Sequence, residues 1–355
     1  MFKPNLRALL LILFIPMWCF AQQIQVKSSA PEQYVVQQGD TLWDISNLFL
    51  EKPWLWPELW RTNTQIMNPH LIYPGDVLTL QWQNGQPVIT INRPDKRQIN
   101  LSPNVTTTTK SGAIPLLSWT TIAPYINNDV IMSEQDYERL PHLLGNSTGD
   151  IRFVSEDIVL ARAIGRSKDQ YTIVRKQNTI VDRFGNDIGV QVRHVADGSL
   201  TEVQPQDEWL VKVSESNYEA KRGDRLFAAE NAELVDMRLV PATDRQKGEV
   251  VGNLHQRSLL GKHDVVIIDL GSREIEPGTV LGLYMKGPTI FDGEKPQYDE
   301  ESHALRGAFD DGNTIIQPAL KIGEVVVFKT FEKASYAMIL RASELVKNGA
   351  IVASP

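Results

Sequence analysis

YVVQQGDTLWDISNLFLEKPWLWPELWRTN, residues Tyr34 to Asn63, carries four tryptophans: Trp43, Trp54, Trp56 and Trp60. Either those rings form a surface on which sugars stack, or they are the core of a unit too small to hold itself together otherwise. The local pattern narrows the choice. Tyr34-Val35-Val36-Gln37 reads as a short strand with Tyr34 and Val36 on one face. Gly39-Asp40 is a turn, and Asp40 or Thr41 stands where a helix cap belongs. From Trp43 to Phe49 the apolar residues recur at helical spacing, and Pro53 interrupts them. Pro57 fits the first turn of a second helix, where its missing N–H costs nothing; that helix carries Leu59, Trp60 and Ile66. Asn68-Pro69 ends it, Tyr73-Pro74-Gly75-Asp76 turns the chain, and Val77-Leu78-Thr79-Leu80 returns as a strand. The predicted order is β-α-α-β over residues 33–82, near the lower size limit for independent folding. A cysteine-free unit of that size needs large apolar side chains, so Trp60 is expected in the core. Trp54 and Trp56 could lie in the core or on the surface.

The arrangement Y-x-V-x-x-G-D-T-L-x-x-I, then L-x-x-x-N, then P-G-D-x-L resembles a LysM domain. Its PWLWPELW insert is similar to a variant found in proteobacterial single-LysM secreted proteins with long extracytoplasmic tails. The resemblance implies binding of N-acetylglucosamine-containing glycan, which in bacteria means peptidoglycan. It places the sugar in a shallow groove between two loops. One holds Gly39, Asp40, Thr41 and Leu42; the other runs through Met67, Asn68, Pro69, His70, Leu71 and Ile72 to Tyr73. Backbone amides and carbonyls in turns, with a small apolar pocket, suit an uncharged N-acetyl sugar. Asp40 and Thr41 are expected to meet hydroxyls, and Leu42, Leu71 and Ile72 the acetyl methyl, although Asp40 serves equally as a helix cap. Five acids against two bases in the unit argue against a polyanionic partner.

The chain begins with Lys3 and Arg7, an apolar run from Ala8 to Phe20, and Ala21, which is the pattern of a secretory signal peptide spanning residues 1–21. The run is too short to span a bilayer, so no transmembrane anchor is expected after cleavage. The single cysteine, Cys19, leaves with that segment, and the remaining chain has no disulfide or thiol chemistry. Loss of Lys3 and Arg7 takes the formal net charge from −7 to −9, unsuited to nucleic acid or anionic lipid. A periplasmic or secreted location is expected.

Residues 83–150 read as a linker, polar and Thr-rich, with room for one strand and two short helical pieces, SWTTIAPYI and SEQDYERL. Ser133 caps the second piece and Pro141 follows it. β-rich runs then predict two modules, 151–245 and 246–355, with a long mobile acidic loop from Met285 to Asn313 in the second. The fold class is therefore α+β, a small LysM-like unit followed by β-rich modules. One motif recurs as GDTL at 39, GDVL at 75, GDRL at 223 and GTVL at 278, a strand-entry turn built on a Gly with φ > 0.

No catalytic residue is assigned. Thiol peptidases and L,D-transpeptidases need a cysteine. The six histidines (70, 142, 194, 255, 263, 303) include no H-x-H or H-E-x-x-H, so no metal site and no cofactor are expected. No G-x-S-x-G or S-x-x-K motif is present. The expected function is non-catalytic peptidoglycan binding that tethers the β-rich tail, with residues 114–355 available for an envelope protein partner. An envelope scaffold acting mainly through the tail, and a hydrolase of unfamiliar type, are the alternatives.

Overall fold

The computed structural model describes residues 24–59, 72–93, 117, 129–162, 169–204, 208–228, 237–292, 296–298 and 313–355. The signal-peptide segment, Trp60, Ile66, Met67 to Leu71 and the SWTTIAPYI piece lie outside them. The chain divides into two compact units, 1–117 and 118–355.

In the first unit, β1 (Gln33–Val35), β2 (Val77–Gln83) and β3 (Gln86–Asn92) form an antiparallel sheet in that order. Helix α1 (Leu42–Phe49) follows Thr41, whose hydroxyl accepts the Asp44 N–H at 3.1 Å; Thr41, not Asp40, is the cap. Leu42, Ile45 and Phe49 bury one helical face, and Ser46, also buried, donates to the Leu42 carbonyl. Pro53 opens a 3₁₀ turn, Pro53–Leu55, that leads into α2 (Trp56–Leu59). Trp43, Trp54 and Trp56 are all buried, which answers the opening question: these rings are core.

Two features extend this unit beyond residues 33–82. Upstream, Lys27 N–H bonds the Phe49 carbonyl at 2.9 Å and Glu51 N–H bonds the Gln25 carbonyl at 3.0 Å, fastening the end of α1. Downstream, β3 lies within the stretch read as linker. It pairs with β2 from Val77↔Asn92 to Gln83↔Gln86 and buries Val88 and Ile89. Asn84 and Gly85, both at positive φ, make the two-residue turn that matches strand twist.

The second unit holds two closed barrels. The first uses β4 (Val130–Met132), β5 (His142–Gly145), β6 (Arg152–Phe153), β7 (Ile158–Arg162), β8 (Gln170–Val181), β9 (Asp187–Gln204), β10 (Glu208–Ser216), β11 (Ala220–Lys221) and β12 (Arg225–Ala228). Its ring runs β5-β7-β10-β9-β8-β12 and back to β5, with β4 added outside β9. The second uses β13 (Val240–Pro241), β14 (Gly248–Asn253), β15 (Val265–Ile268), β16 (Thr279–Lys286), β17 (Ile290–Asp292), β18 (Gln297–Tyr298), β19 (Asn313–Ile315), β20 (Ala319–Thr330), β21 (Ser335–Ala342) and β22 (Ile351–Ala353). Its ring runs β14-β15-β21-β20-β16-β22 and back to β14. Closure removes the open edges a small sheet would otherwise expose. Each lumen is filled by apolar side chains: Leu143, Phe153, Val159, Ile173, Trp209 and Val211 in the first, and Val250, Val266, Ile268, Leu281, Val325 and Ile339 in the second.

Taken in chain order, the six ring strands of each barrel are wired identically, as 1-2-5-4-3-6. The correspondence extends to single residues. Leu143 and Gly145 flank a bulge in the first barrel; Val250 and Gly252, each 107 positions later, flank one in the second. Asn146 accepts the Asp150 N–H, and Asn253 accepts the Arg257 N–H, both at 2.8 Å. Asp157 accepts the Val154 N–H, and Asp264 the Gly261 N–H, again at 2.8 Å. Even the unusual positive φ values recur, at Glu156 (78°) and His263 (71°). The tail is an internal duplication.

Three expectations change accordingly. Residues 130–145, read as linker, supply a strand, the Ser133-capped helix Glu134–Arg139 and the first ring strand of the first barrel. A module boundary at 151 therefore cuts through a barrel, because so short a strand as His142–Gly145 gives no periodicity to read. The Met285–Asn313 stretch is not simply a loop: β17, β18 and β19 form a three-stranded flap between the third and fourth ring strands of the second barrel. The corresponding connection in the first barrel is the tight turn between β8 and β9.

Candidate functional site

Two matched turns form the described part of the expected groove. In Gln37-Gln38-Gly39-Asp40 and Tyr73-Pro74-Gly75-Asp76 the third residue is a glycine in the left-handed region, φ 98° and 94°. The aspartate N–H returns to the first carbonyl, at 3.3 Å in one turn and 3.0 Å in the other. Its carboxylate accepts the first N–H, at 2.8 Å from Gln37 and 3.0 Å from Tyr73. Each aspartate thus closes its own turn. The turns are adjacent, because Val36 donates to the Asp76 carbonyl (2.9 Å) and accepts from Gly75 (2.8 Å). The strand-to-helix loop and the start of β2 therefore meet at one surface.

Electrostatics fix the geometry further. Tyr34 donates its hydroxyl to the same Asp40 oxygen at 2.8 Å. Burial first, then that hydrogen bond and the charges of Asp40 and Asp44, push the Tyr34 phenol up to about 12. Tyr34 is thus a neutral donor throughout the physiological range. On the second turn, Arg93 Nε lies 3.6 Å from the buried Asp76 carboxylate, and its guanidinium sits over the Tyr73 ring.

The expected site residues separate by depth. Gly39 is exposed, and a Cβ placed on it would meet nothing within 4 Å, so a ligand can approach its backbone closely. Asp40 is half-buried and occupied as the turn clamp. Thr41 is buried, with its hydroxyl committed to Asp44. Leu42 and Ile72 are both 0% exposed. Their side chains lie beneath the loops and do not line an open acetyl pocket, a correction that follows from their burial in the same unit as Trp43, Ile45, Phe49, Trp54, Trp56 and Leu78. Met67, Asn68, Pro69, His70 and Leu71 fall outside the described residues. Among the described residues, the exposed part of these two turns consists of Gln37, Gln38, Gly39 and Gly75 and their backbone groups. Gln37 and Gln38 went unnoticed in the sequence; their place inside the G-D turn was the available signal. Trp82, on β2, is the one described tryptophan open to solvent, at 63% exposure.

Among the described residues, no group of three or more His, Cys, Asp or Glu side chains is placed to hold a metal ion. No helix among them is long and apolar enough to cross a membrane.

The family-model match falls in the first unit. The family model described as "LysM domain" matches residues 34–81, ending before β3. A Bacillus subtilis (strain 168) protein, "Uncharacterized protein YqbP", is 36% identical over 62 residues, covering 15% of this chain and 28% of that protein. The chain thus spans just over a quarter of that relative's length. The matched stretch coincides with the two turns, the Thr41-capped helix and the tryptophan core. Residues 34–81 are a LysM domain.

Proposed function

We propose that the LysM domain binds N-acetylglucosamine-containing glycan through the paired turns at Gly39 and Gly75 and so tethers the double barrel to peptidoglycan in the periplasm, without catalysing its cleavage. The observation that carries this reading is the pair of adjacent turns inside the matched LysM residues. Each spends its aspartate on internal hydrogen bonds and leaves exposed backbone beside a glycine, a surface suited to a neutral amide and hydroxyls. The signal-peptide pattern at residues 1–21 supports the location. A single shallow site of this kind binds weakly, and dwell time on a wall then comes from rebinding to a dense polymer.

The test is a titration of the chain with N-acetylglucosamine oligomers, followed by backbone amide NMR. Saturable shifts confined to residues 37–41 and 72–76 and their immediate surroundings support the reading. Shifts in the barrels alone, or none at millimolar oligomer, contradict it.

A further inference from the structure

The ring of the first barrel is complete without β4, which pairs with β9 and, among the described residues, with nothing else. In the second barrel the corresponding ring strand, β20, pairs with its ring neighbours β16 and β21. β4 and the helix after it are therefore an addition to one copy. Gly189 makes room for it, since a Cβ there would come within 2.8 Å of the Ile131 side chain.

An added strand restores the open edge that closure removes. Successive residues of a strand turn their N–H and C=O to opposite edges. The Met132 carbonyl faces β9, its oxygen 3.0 Å from where a Cβ on Gly189 would stand. Ile131 thus turns its own N–H and C=O to the outer edge. Asp129, two residues earlier, gives its carbonyl on that edge to Lys329 Nζ of the second barrel at 2.8 Å. Among the described residues no partner meets the main chain of Ile131 there.

This edge opens on a cleft of about 420 Å³, within the range of ligand pockets. Ile131, Met132 and Val190 form one apolar side, and the turn Phe331-Glu332-Lys333 after β20 forms the other. The far wall is held firmly. Phe331 packs edge-on against the buried Tyr336, ring centroids 5.0 Å apart, and its carbonyl accepts the Ser272 N–H at 2.7 Å. At the rim Asp136, Asp187 and Glu332 are exposed, against the cation of Lys333. Glu134 stands there too but is paired with Lys176 at 2.6 Å.

We propose that this cleft takes an extended lysine- or arginine-bearing segment of a partner protein. The segment adds to the β4 edge by bonding the Ile131 N–H and C=O, and sets its cations against Asp136, Asp187 and Glu332. Two features select that occupant. The open main chain is that of a strand, which another extended chain satisfies, and the rim is net negative, which a basic one complements. The proposal does not depend on glycan binding at the LysM turns.

The test is titration of the full-length chain with acetyl-Lys-Val-Lys-Val-Lys-amide, read by calorimetry and backbone amide NMR. The acidic acetyl-Glu-Val-Glu-Val-Glu-amide and the simple amine n-butylamine are run beside it. The expected result is saturable binding of the basic peptide that moves the Ile131 amide together with residues 187–190 and 331–333. The acidic peptide and the amine bind at least about tenfold more weakly. The double variant Asp187→Lys, Glu332→Lys changes only exposed positions; it should weaken the basic peptide about tenfold and strengthen the acidic one. Ile131→Pro removes the outward N–H while keeping the main-chain groups that face β9, and the folded variant should bind the basic peptide at least about tenfold more weakly. If thermal unfolding shows that variant misfolded, the Ile131 amide shift and the charge variant decide without it. No saturable binding of the basic peptide at millimolar concentration overturns the proposal. So do equal affinities for the two peptides, amine binding as tight as peptide binding, or shifts that leave Ile131 unmoved.

Discussion

Glu156 and His263 occupy corresponding turns in the two barrels, at φ 78° and 71°, where the turns at Gly39, Gly75, Gly223, Gly278 and Gly349 use glycine. A Cβ in that region costs about 1–2 kcal/mol through its contact with the following carbonyl. Replacing either residue by Gly also loses its side-chain contacts, including the exposed Glu156–Lys212 pair, so a single variant would confound two effects. Comparing the Gly and Ala variants removes the confusion, since both lose the same side chain. At ordinary positions Ala is the more stable by about 0.5–1 kcal/mol, through the greater freedom of Gly in the unfolded chain. Here the order reverses, with Gly ahead by about 1 kcal/mol after that entropy is subtracted. For a unit of this size the difference is about 2–4 °C in Tm. Thermal unfolding of His263→Gly against His263→Ala, and of Glu156→Gly against Glu156→Ala, measures it directly. Gly223→Ala, at φ 85°, should lose a similar amount. Ala variants equal to or more stable than Gly variants at both sites would refute the equivalence of the turns.

Three further outcomes are expected. Glu324 is fully buried and shared by Arg341 and Lys321, so Glu324→Ala leaves two half-buried cations without it and should cost about 3 kcal/mol or more, read by urea denaturation. Thr41→Ala removes the α1 cap and should cost the LysM domain about 1 kcal/mol, seen as faster amide exchange at Leu42 to Ile45. Tyr34 ionises late, so the folded LysM domain binds that proton more tightly than the unfolded chain. The resulting stability is fully present below pH 10 and is lost as pH rises from 10 to about 12, and Tyr34→Phe should remove that alkaline step from a pH series of thermal melts.

The parts that sequence made legible are those where one residue performs one local backbone task. The Thr41 and Ser133 caps, the Gly39 and Gly75 turns and the G-D motif at 223 all rest on short-range hydrogen bonds between residues a few positions apart. The tryptophans at 54 and 56 could be assigned to the core only once their burial was seen, because a solvent face and a core face have the same composition in so small a unit. The one strand for which the polar stretch after Gln83 had room is β3; its place is set by the Asn84-Gly85 turn, and its pairing with β2 is what joins it to the LysM unit. Barrel closure had none. The first barrel closes through a single strand pair, Arg225↔His142, contacts that lie 83 residues apart and leave no periodic trace. The duplication was hidden for a related reason. What repeats at 107 positions is mainly backbone duty, and few side chains are identical, among them Gly145 and Gly252, Asn146 and Asn253, Asp157 and Asp264, and Val159 and Val266. The site itself was half legible, since the turns could be located but the inward direction of Leu42 and Ile72 could not.

Burial of Ile72 also governs how the central claim is tested, because truncating it would remove core and cost about 2–5 kcal/mol by itself. The direct measurement is co-sedimentation of the chain from Gln22 onward with purified peptidoglycan sacculi, beside a Gly39→Val variant. That substitution puts a branched side chain on exposed backbone at φ 98°, while leaving the core untouched. Soluble products are assayed in the same tubes, and thermal unfolding confirms that the variant is folded. The account predicts that the unaltered chain pellets with sacculi, that the folded variant stays largely in the supernatant, and that no muropeptides are released. Equal pelleting of both chains would place wall binding outside the paired turns, and released muropeptides would contradict a non-catalytic tether.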